Sequence, residues 1–134
     1  GAEFRQLMEA GFRGDGTSQG YFPQVSGFRL CVDRSRESLS RIVSLQLPGD
    51  DGWTDVEAER EYGLVMPDFL YRGGEGYTLP EGRQGSRTGA ELKYRVLDAI
   101  LRAQGAGQPV GVPVDPAAPR IEVHDGPVAQ CFAG

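Results

Sequence analysis

Metal-binding side chains are scarce in this sequence. It has one histidine, His124, and two cysteines, Cys31 and Cys131. Zinc and dinuclear metal sites need several converging His, Cys or carboxylate ligands. A lone histidine near the end of a strand reads as a surface residue, so no metal ligand is assigned in this chain. The two cysteines either pair in an oxidising compartment or remain as two buried thiols. No apolar run approaches membrane-spanning length. Positive charge is also short, with a formal net charge of -5 that argues against a nucleic-acid or anionic-membrane surface. No Gly-x-Gly-x-x-Gly fingerprint, P-loop or Gly-x-Ser-x-Gly elbow is present. Ser26 stands in Gln-Val-Ser-Gly, far in sequence from the single histidine. No self-contained catalytic site is readable, and no internal repeat is evident.

What is abundant is turn-forming residues: 20 glycines and 9 prolines in 134 residues. A single domain of this size buries about two thirds of its unfolded surface, enough for a core of its own. Residues 2 to 12 read as an amphipathic helix, with Phe4, Leu7, Met8 and Phe12 at helical spacing. Residues 14 to 20 form a loop, and its Arg13-Gly14-Asp15 tripeptide is short enough to occur by chance. Residues 27 to 33 alternate as a half-buried strand, with Phe28, Leu30 and Val32 on one face and Arg29, Cys31 and Asp33 on the other. Residues 41 to 47 form a second strand, with Val43, Leu45 and Leu47 inward, antiparallel to the first. The turn residues Pro48 to Gly52 break the chain. Trp53 reads as a cap over a core edge. Residues 61 to 66 are expected as a third strand.

A second helix is expected from Thr88-Gly89-Ala90-Glu91, a capping box, through the stripe Leu92, Val96, Ala99, Ile100 and Ala103 to a stop at Gly105. Residues 105 to 118 form a proline-rich connector. Residues 119 to 123 are a last strand, and a loose tail follows from Asp125. The fold class is α+β: a mixed sheet of about four to five strands with two principal helices.

The chemistry concentrates in Pro67-Asp68-Phe69-Leu70-Tyr71-Arg72-Gly73-Gly74-Glu75-Gly76-Tyr77. A strand end opening into a glycine-rich turn is a common way to build a backbone ligand site. Phe69, flanked by Asp68 and the Gly73-Gly74 turn, suits a planar, partly polar ligand such as a nucleobase, and such stacking contributes roughly 1–3 kcal/mol. Glu75 can accept hydrogen bonds from paired hydroxyls, as acidic residues do on riboses. In the competing structural reading, Phe69 and Leu70 plug the core and Tyr77 sits at its rim.

Asp68-Phe69-Leu70-Tyr71-Arg72-Gly73-Gly74-Glu75-Gly76-Tyr77 is similar to the Asn-Phe-Leu-x-x-Gly-Gly-Asp-Gly-Phe/Tyr segment of the 5'-nucleotidase family's C-terminal domain. Gly20-Tyr21-Phe22-Pro23-Gln24-Val25-Ser26-Gly27 resembles that family's Gly-x-Phe-x-Gln-Val-Ser-Gly stretch. The start Gly1-Ala2-Glu3-Phe4-Arg5-Gln6-Leu7-Met8-Glu9 resembles its first helix, and Arg120-Ile121 its terminal Arg-Ile. The order and spacing agree over roughly residues 1 to 123.

The resemblance implies a nucleoside-recognition domain spanning residues 1 to 124, lacking the family's first strand, with residues 125 to 134 as a tail. It implies Phe69 as a base-stacking residue, Asp68 beside the base, Glu75 at the ribose, and Gly73 and Gly74 in the binding turn. Asp68 and Glu75 depart from the family's Asn and Asp. A second stacking phenylalanine is expected from sequence upstream of residue 1. Divalent metal ions and hydrolysis belong to a separate metallophosphoesterase domain of the same protein, so this chain alone is not expected to be catalytic. An extracellular or periplasmic location is also implied. The alternative is a non-catalytic interaction module that keeps the fold and binds a protein partner through an open sheet edge.

Overall fold

The computed structural model describes residues 1–14, 19–89, 91–110 and 118–132. Asp15 of the Arg-Gly-Asp tripeptide, Ala90 of the expected capping box and residues 111–117 of the connector lie outside the described residues. The chain divides into two compact units, one within residues 1–80 and 116–134, the other within 81–115.

In the first unit, α1 (Ala2–Glu9) continues into a 3-10 turn, Ala10–Phe12. Its stripe is core, as the spacing implies: Leu7, Met8 and Phe12 are buried, and the Phe4 ring meets Phe28 edge-on at 5.1 Å. The sheet comprises β1 (Arg29–Asp33), β2 (Ile42–Gly49), β3 (Gly52–Asp55) and β4 (Ile121–His124), in the order β3-β2-β1-β4. The β1–β2 and β2–β3 pairs are antiparallel and the β1–β4 pair is parallel, so the sheet is mixed, as expected.

Two strand assignments need correction. Residues 61–67 adopt no regular structure, and the third strand is β3 instead. The apolar run Leu64-Val65-Met66 does not alternate: Val65 is 85% exposed, while Met66 packs on the core. β2 runs through Pro48 to Gly49 and returns after a two-residue Asp50-Asp51 turn, pairing Pro48 with Trp53. The inward set of β2 also differs. An irregularity in the β1–β2 register between Cys31 and Val32 sets Val32 opposite Ile42, so the buried residues are Ile42 and Leu45 rather than Val43. An inserted residue reverses the side chains beyond it, which strict alternation misses.

A buried polar network ties α1 to the start of β2. The Glu9 carboxylate accepts the backbone N–H groups of Arg41 and Ile42 at 2.9 and 2.8 Å. The Arg41 guanidinium donates to the carbonyls of Phe12 and Gly14 at 2.8 and 2.6 Å. Among the described residues no buried side-chain nitrogen or oxygen lacks a partner.

β1 is covered on both faces, not one. Leu30 and Val32 are buried toward α1, but Cys31 is fully buried and Asp33 nearly so on the other side. The cause is the segment expected as a loose tail. Residues 125–132 cross the polar face and are fixed there by a Cys31–Cys131 disulfide with a Cα–Cα distance of 5.9 Å. Arg34 pairs with Asp125 at 2.9 Å, and the Phe132 amide donates to Glu122 at 2.6 Å. The Arg29 guanidinium lies 4.0 Å from the Phe132 ring and 4.6 Å from Trp53. Closing a loop across a separation of 100 residues stabilises the fold by roughly 4–5 kcal/mol in the chain-entropy picture.

The second unit is chiefly α3 (Leu92–Gly105). The expected capping box does not form: Glu91 is the N-cap, in an extended conformation, with no side-chain cap bond. Leu92, Val96, Leu97 and Leu101 are all at least half exposed, whereas Ile100 and Ala103 are half-buried. Only part of the expected apolar stripe is therefore covered.

The buried carboxylates set two expected outcomes for stability. Glu9→Ala strands two buried amides and is expected to cost roughly 2–4 kcal/mol in denaturant unfolding. The Ser35 hydroxyl, followed by the Ser35 amide, Arg36 and the Val128 amide, outweighs burial and holds the Asp33 carboxyl below the usual carboxylate range. Its lowered folded pKa means that its contribution is present above the ordinary carboxylate pKa and is lost as pH falls below it. In an acid-unfolding series, Asp33→Asn is expected to lose stability at neutral pH and to flatten the acid limb.

Candidate functional site

The opening motif folds as two short helical turns around a left-handed hinge. Pro67 sets the N-terminus of α2 (Asp68–Tyr71), where its missing amide breaks no helical bond. Gly73 then takes φ 90°, a region where only glycine is unstrained, and reverses the chain. A 3-10 turn, Gly74–Gly76, follows. Gly74 passes directly beneath Phe69: a Cβ there would lie 2.6 Å from both the Phe69 ring and its carbonyl oxygen. Absence of a side chain at residue 74 thus lets the ring lie against the turn.

Within this frame the two aromatics take opposite roles from those of the structural reading. Tyr77 is core, 2% exposed, and its hydroxyl donates to the Tyr21 carbonyl at 2.8 Å. Burial, opposed by Arg13 and aided by Glu75, pushes its phenol up to about 12. Phe69 is 59% exposed, while Leu70 packs against the core beneath it. Tyr77 and Leu70 anchor the turn, and Phe69 is presented to solvent.

The structure brings Asp68, Phe69, Gly73, Gly74 and Glu75 into one continuous turn. Asp68 is exposed and pairs loosely with Arg72 across one helical turn, at 3.6 Å. Glu75 sits at φ 53°, a left-handed conformation uncommon for a residue with a side chain. Its carboxylate reaches toward the 19–22 turn: a Cβ on Gly20 would lie 3.9 Å from Glu75 Oε1.

One cation at this turn, Arg13, stands out in the sequence only as the start of the Arg-Gly-Asp tripeptide. The Arg13 guanidinium lies 3.6 Å from the centre of the Tyr21 ring, and a Cβ on Gly76 would lie 3.5 Å from its central carbon. Nothing in the residues around Arg13 ties it to this turn, because its position depends on the end of the first helical segment meeting the turn about 60 residues later. A separate groove of about 510 Å³ runs between α1 and the start of β2, lined by Arg5, Glu9, Ile42 and Val56. None of the motif residues lines it.

The arrangement is a helix-backed mixed sheet presenting an exposed aromatic face beside a glycine turn and two acids. Residues 1–81 match the family described as "5'-nucleotidase, C-terminal domain". The chain belongs to that family, and the matched region contains every residue of the turn.

Among relatives, the snake venom 5'-nucleotidase of Gloydius brevicauda is 28% identical over 109 residues, covering 78% of this chain and 18% of that protein. The probable 5'-nucleotidase of Treponema pallidum (strain Nichols) is 33% identical over 109 residues, covering 76% and 18%. The crystal structure of the 5'-nucleotidase precursor from Thermus thermophilus matches with a TM-score of 0.74 at 27% identity, over 94% of this chain and 24% of that one. The chain therefore spans only a minor part of the length of these proteins. Among the described residues no helix is long and apolar enough to cross a membrane.

The turn's backbone makes a clear demand. Gly74→Ala is expected to displace the Phe69 ring and to lower the thermal midpoint, because its Cβ meets backbone as well as ring. Glu75→Gly removes a left-handed penalty of about 1 kcal/mol and is expected to melt no lower than the parent, whereas Glu75→Val is expected to melt lower. Differential scanning calorimetry of the three variants checks this ordering.

Proposed function

We propose that this chain is the nucleoside-recognition part of a 5'-nucleotidase-type phosphohydrolase. The observation that carries the reading is Phe69: a large aromatic held 59% exposed, against a glycine that leaves room for its ring, inside the family's matched segment. An apolar ring kept in water in this way is available for stacking on a base. In this reading Asp68 approaches the base edge, Glu75 accepts the ribose hydroxyls, and Gly73 and Gly74 let the backbone come close.

The second stacking ring and the divalent metal ions that activate water belong to other parts of the whole protein. This chain selects the nucleotide and does not hydrolyse it alone. An extracellular or periplasmic setting is supported by the Cys31–Cys131 disulfide and by the venom origin of several relatives. Glu75 in place of the family's Asp carries the carboxylate one methylene further from the backbone, and Asp68 in place of Asn adds a charge. Both changes bear on which base and which sugar are preferred.

A second reading, a partner strand added at the sheet margin, has one observation in its favour: edge strand β3 is exposed at all four positions.

An NMR titration with adenosine and AMP separates the two. Saturable shifts at residues 68–77, abolished by Phe69→Ala while the core resonances persist, are the expected result. If Phe69→Ala leaves the shifts unchanged, or if no shifts appear even with the upstream segment restored, the nucleoside reading fails and the strand-edge reading takes its place.

A further inference from the structure

The polar face of the sheet gathers four metal-binding donors away from the nucleoside turn. Glu122 and His124 lie two residues apart on β4, so both project from the same face. The parallel register sets Cys31 beside Glu122. Cys31 Sγ, a Glu122 carboxylate oxygen and a His124 ring nitrogen all lie within 4.8 Å of one another. The disulfide brings the sulfur of Cys131 to the same point. Glu122 already bridges this group: one oxygen meets His124 Nε2 at 2.7 Å, and the other accepts the Phe132 amide at 2.6 Å. The cluster is sheltered, with Cys31 fully buried and the His124 and Glu122 side chains 35% and 23% exposed.

We propose that, with both cysteines reduced, Cys31, Cys131, Glu122 and His124 form a tetrahedral zinc site, so that the disulfide and the metal are alternative occupants of the same four donors. Zinc takes thiolate sulfur at about 2.3 Å and imidazole nitrogen or carboxylate oxygen at about 2.0–2.2 Å, so its ligand atoms stand roughly 3.3–3.8 Å apart. The donors here need side-chain rotations to meet that requirement. The two thiolates move apart, which the Cα–Cα distance of 5.9 Å allows, and the Glu122–His124 contact opens slightly.

The chemistry balances. A dithiol reductant gives two electrons and two protons to the disulfide and becomes a cyclic disulfide itself. Zinc then displaces the two thiol protons. A newly synthesised chain is already in the dithiol state, so the metal precedes the disulfide; exchange with a small-molecule or protein disulfide, which takes the two electrons and is itself reduced to two thiols, then joins the two sulfurs and releases the zinc ion. Bound zinc would hold residues 125–132 on the sheet as the disulfide does. The Glu122–Phe132 contact would then orient the carboxylate from behind. None of these residues belongs to the nucleoside turn, so the two readings stand or fall separately.

The test titrates the whole chain with zinc by calorimetry, in the oxidised form and under excess dithiol that is then removed anaerobically. Cobalt(II) substitution follows by absorption spectroscopy. The reduced chain is expected to bind one metal with a dissociation constant below about 1 μM and to show thiolate-to-cobalt charge-transfer bands, as a four-ligand site containing two thiolates should. His124→Ala keeps the disulfide and so its oxidised fold. When reduced, it is expected to bind about tenfold or more weakly, as is Cys131→Ser.

Equal zinc binding by the oxidised and reduced chains would overturn the proposal, as would a cobalt spectrum without thiolate bands. So would full affinity in Cys131→Ser. Should the reduced chain lose its fold, recovery of its far-UV circular dichroism on adding one equivalent of zinc supports the site, and failure to recover overturns it.

Discussion

The Glu9 carboxylate, buried between α1 and the start of β2, is the contact on which the arrangement of the first unit depends. It accepts two backbone amides at the point where β2 leaves regular pairing with β1. Those amides face away from the ladder and toward the helix, out of reach of water. A neutral core would leave them unpaired, at a cost of about 1–3 kcal/mol each. Arg41, whose own amide is one of the two, turns its guanidinium back to the carbonyls of Phe12 and Gly14, which end the helical segment. A helix end and a strand start thus satisfy each other's leftover polar groups. This locks where α1 crosses the sheet, and with it where Leu7, Met8 and Phe12 enter the core.

From that lock the site follows in two steps. The 3-10 turn after α1 ends beside Arg13, and the next described stretch carries Tyr21 and Phe22, with Phe22 edge-on to Phe12 at 5.4 Å. Tyr77 then bonds to the Tyr21 carbonyl from inside the core. The 67–77 turn is therefore fastened at its downstream end by one buried phenol, and at its upstream end by Met66 and Leu70. Between these fastenings the chain packs chiefly on itself, with the Phe69 ring against Gly74. Phe69 can stay exposed and Glu75 can hold an unfavourable backbone conformation, because the anchors on both sides compensate for them.

Helical and strand periodicity made much of this legible. The Phe4, Leu7, Met8 and Phe12 spacing located the first helix, and the alternation in residues 28–33 located β1. What escaped depends on contacts between distant residues. The irregularity that puts Ile42 inward exists to present amides to Glu9, 33 residues earlier. β3 is a four-residue strand stabilised by its hairpin partner, and neither its length nor its composition distinguishes it from a loop. The motif at residues 67–77 was readable as a turn. Which of its aromatics is buried stayed open between two readings, because Tyr77 enters the core through its contact with Tyr21, 56 residues earlier. Arg13 reaches the turn only through the folded loop. The C-terminal segment reads as loose by composition, yet Cys131 meets Cys31 across a separation of 100 residues.

The two faces of the sheet are held by different physics. On the face toward α1, stability comes from apolar area removed from water, which is nondirectional and tolerant of substitution of similar volume. On the opposite face the strap of residues 125–132 covers β1 with little apolar area. It depends on the disulfide, the Arg34–Asp125 pair, the Glu122 carboxylate and the Asp33 carboxylate. Each of these is directional; the disulfide responds to thiol redox state and the Asp33 carboxylate to protons. The side that anchors the 67–77 turn rests on apolar packing. The side that answers to its chemical surroundings lies beyond β1, where a change in the strap need not disturb the anchors of Phe69.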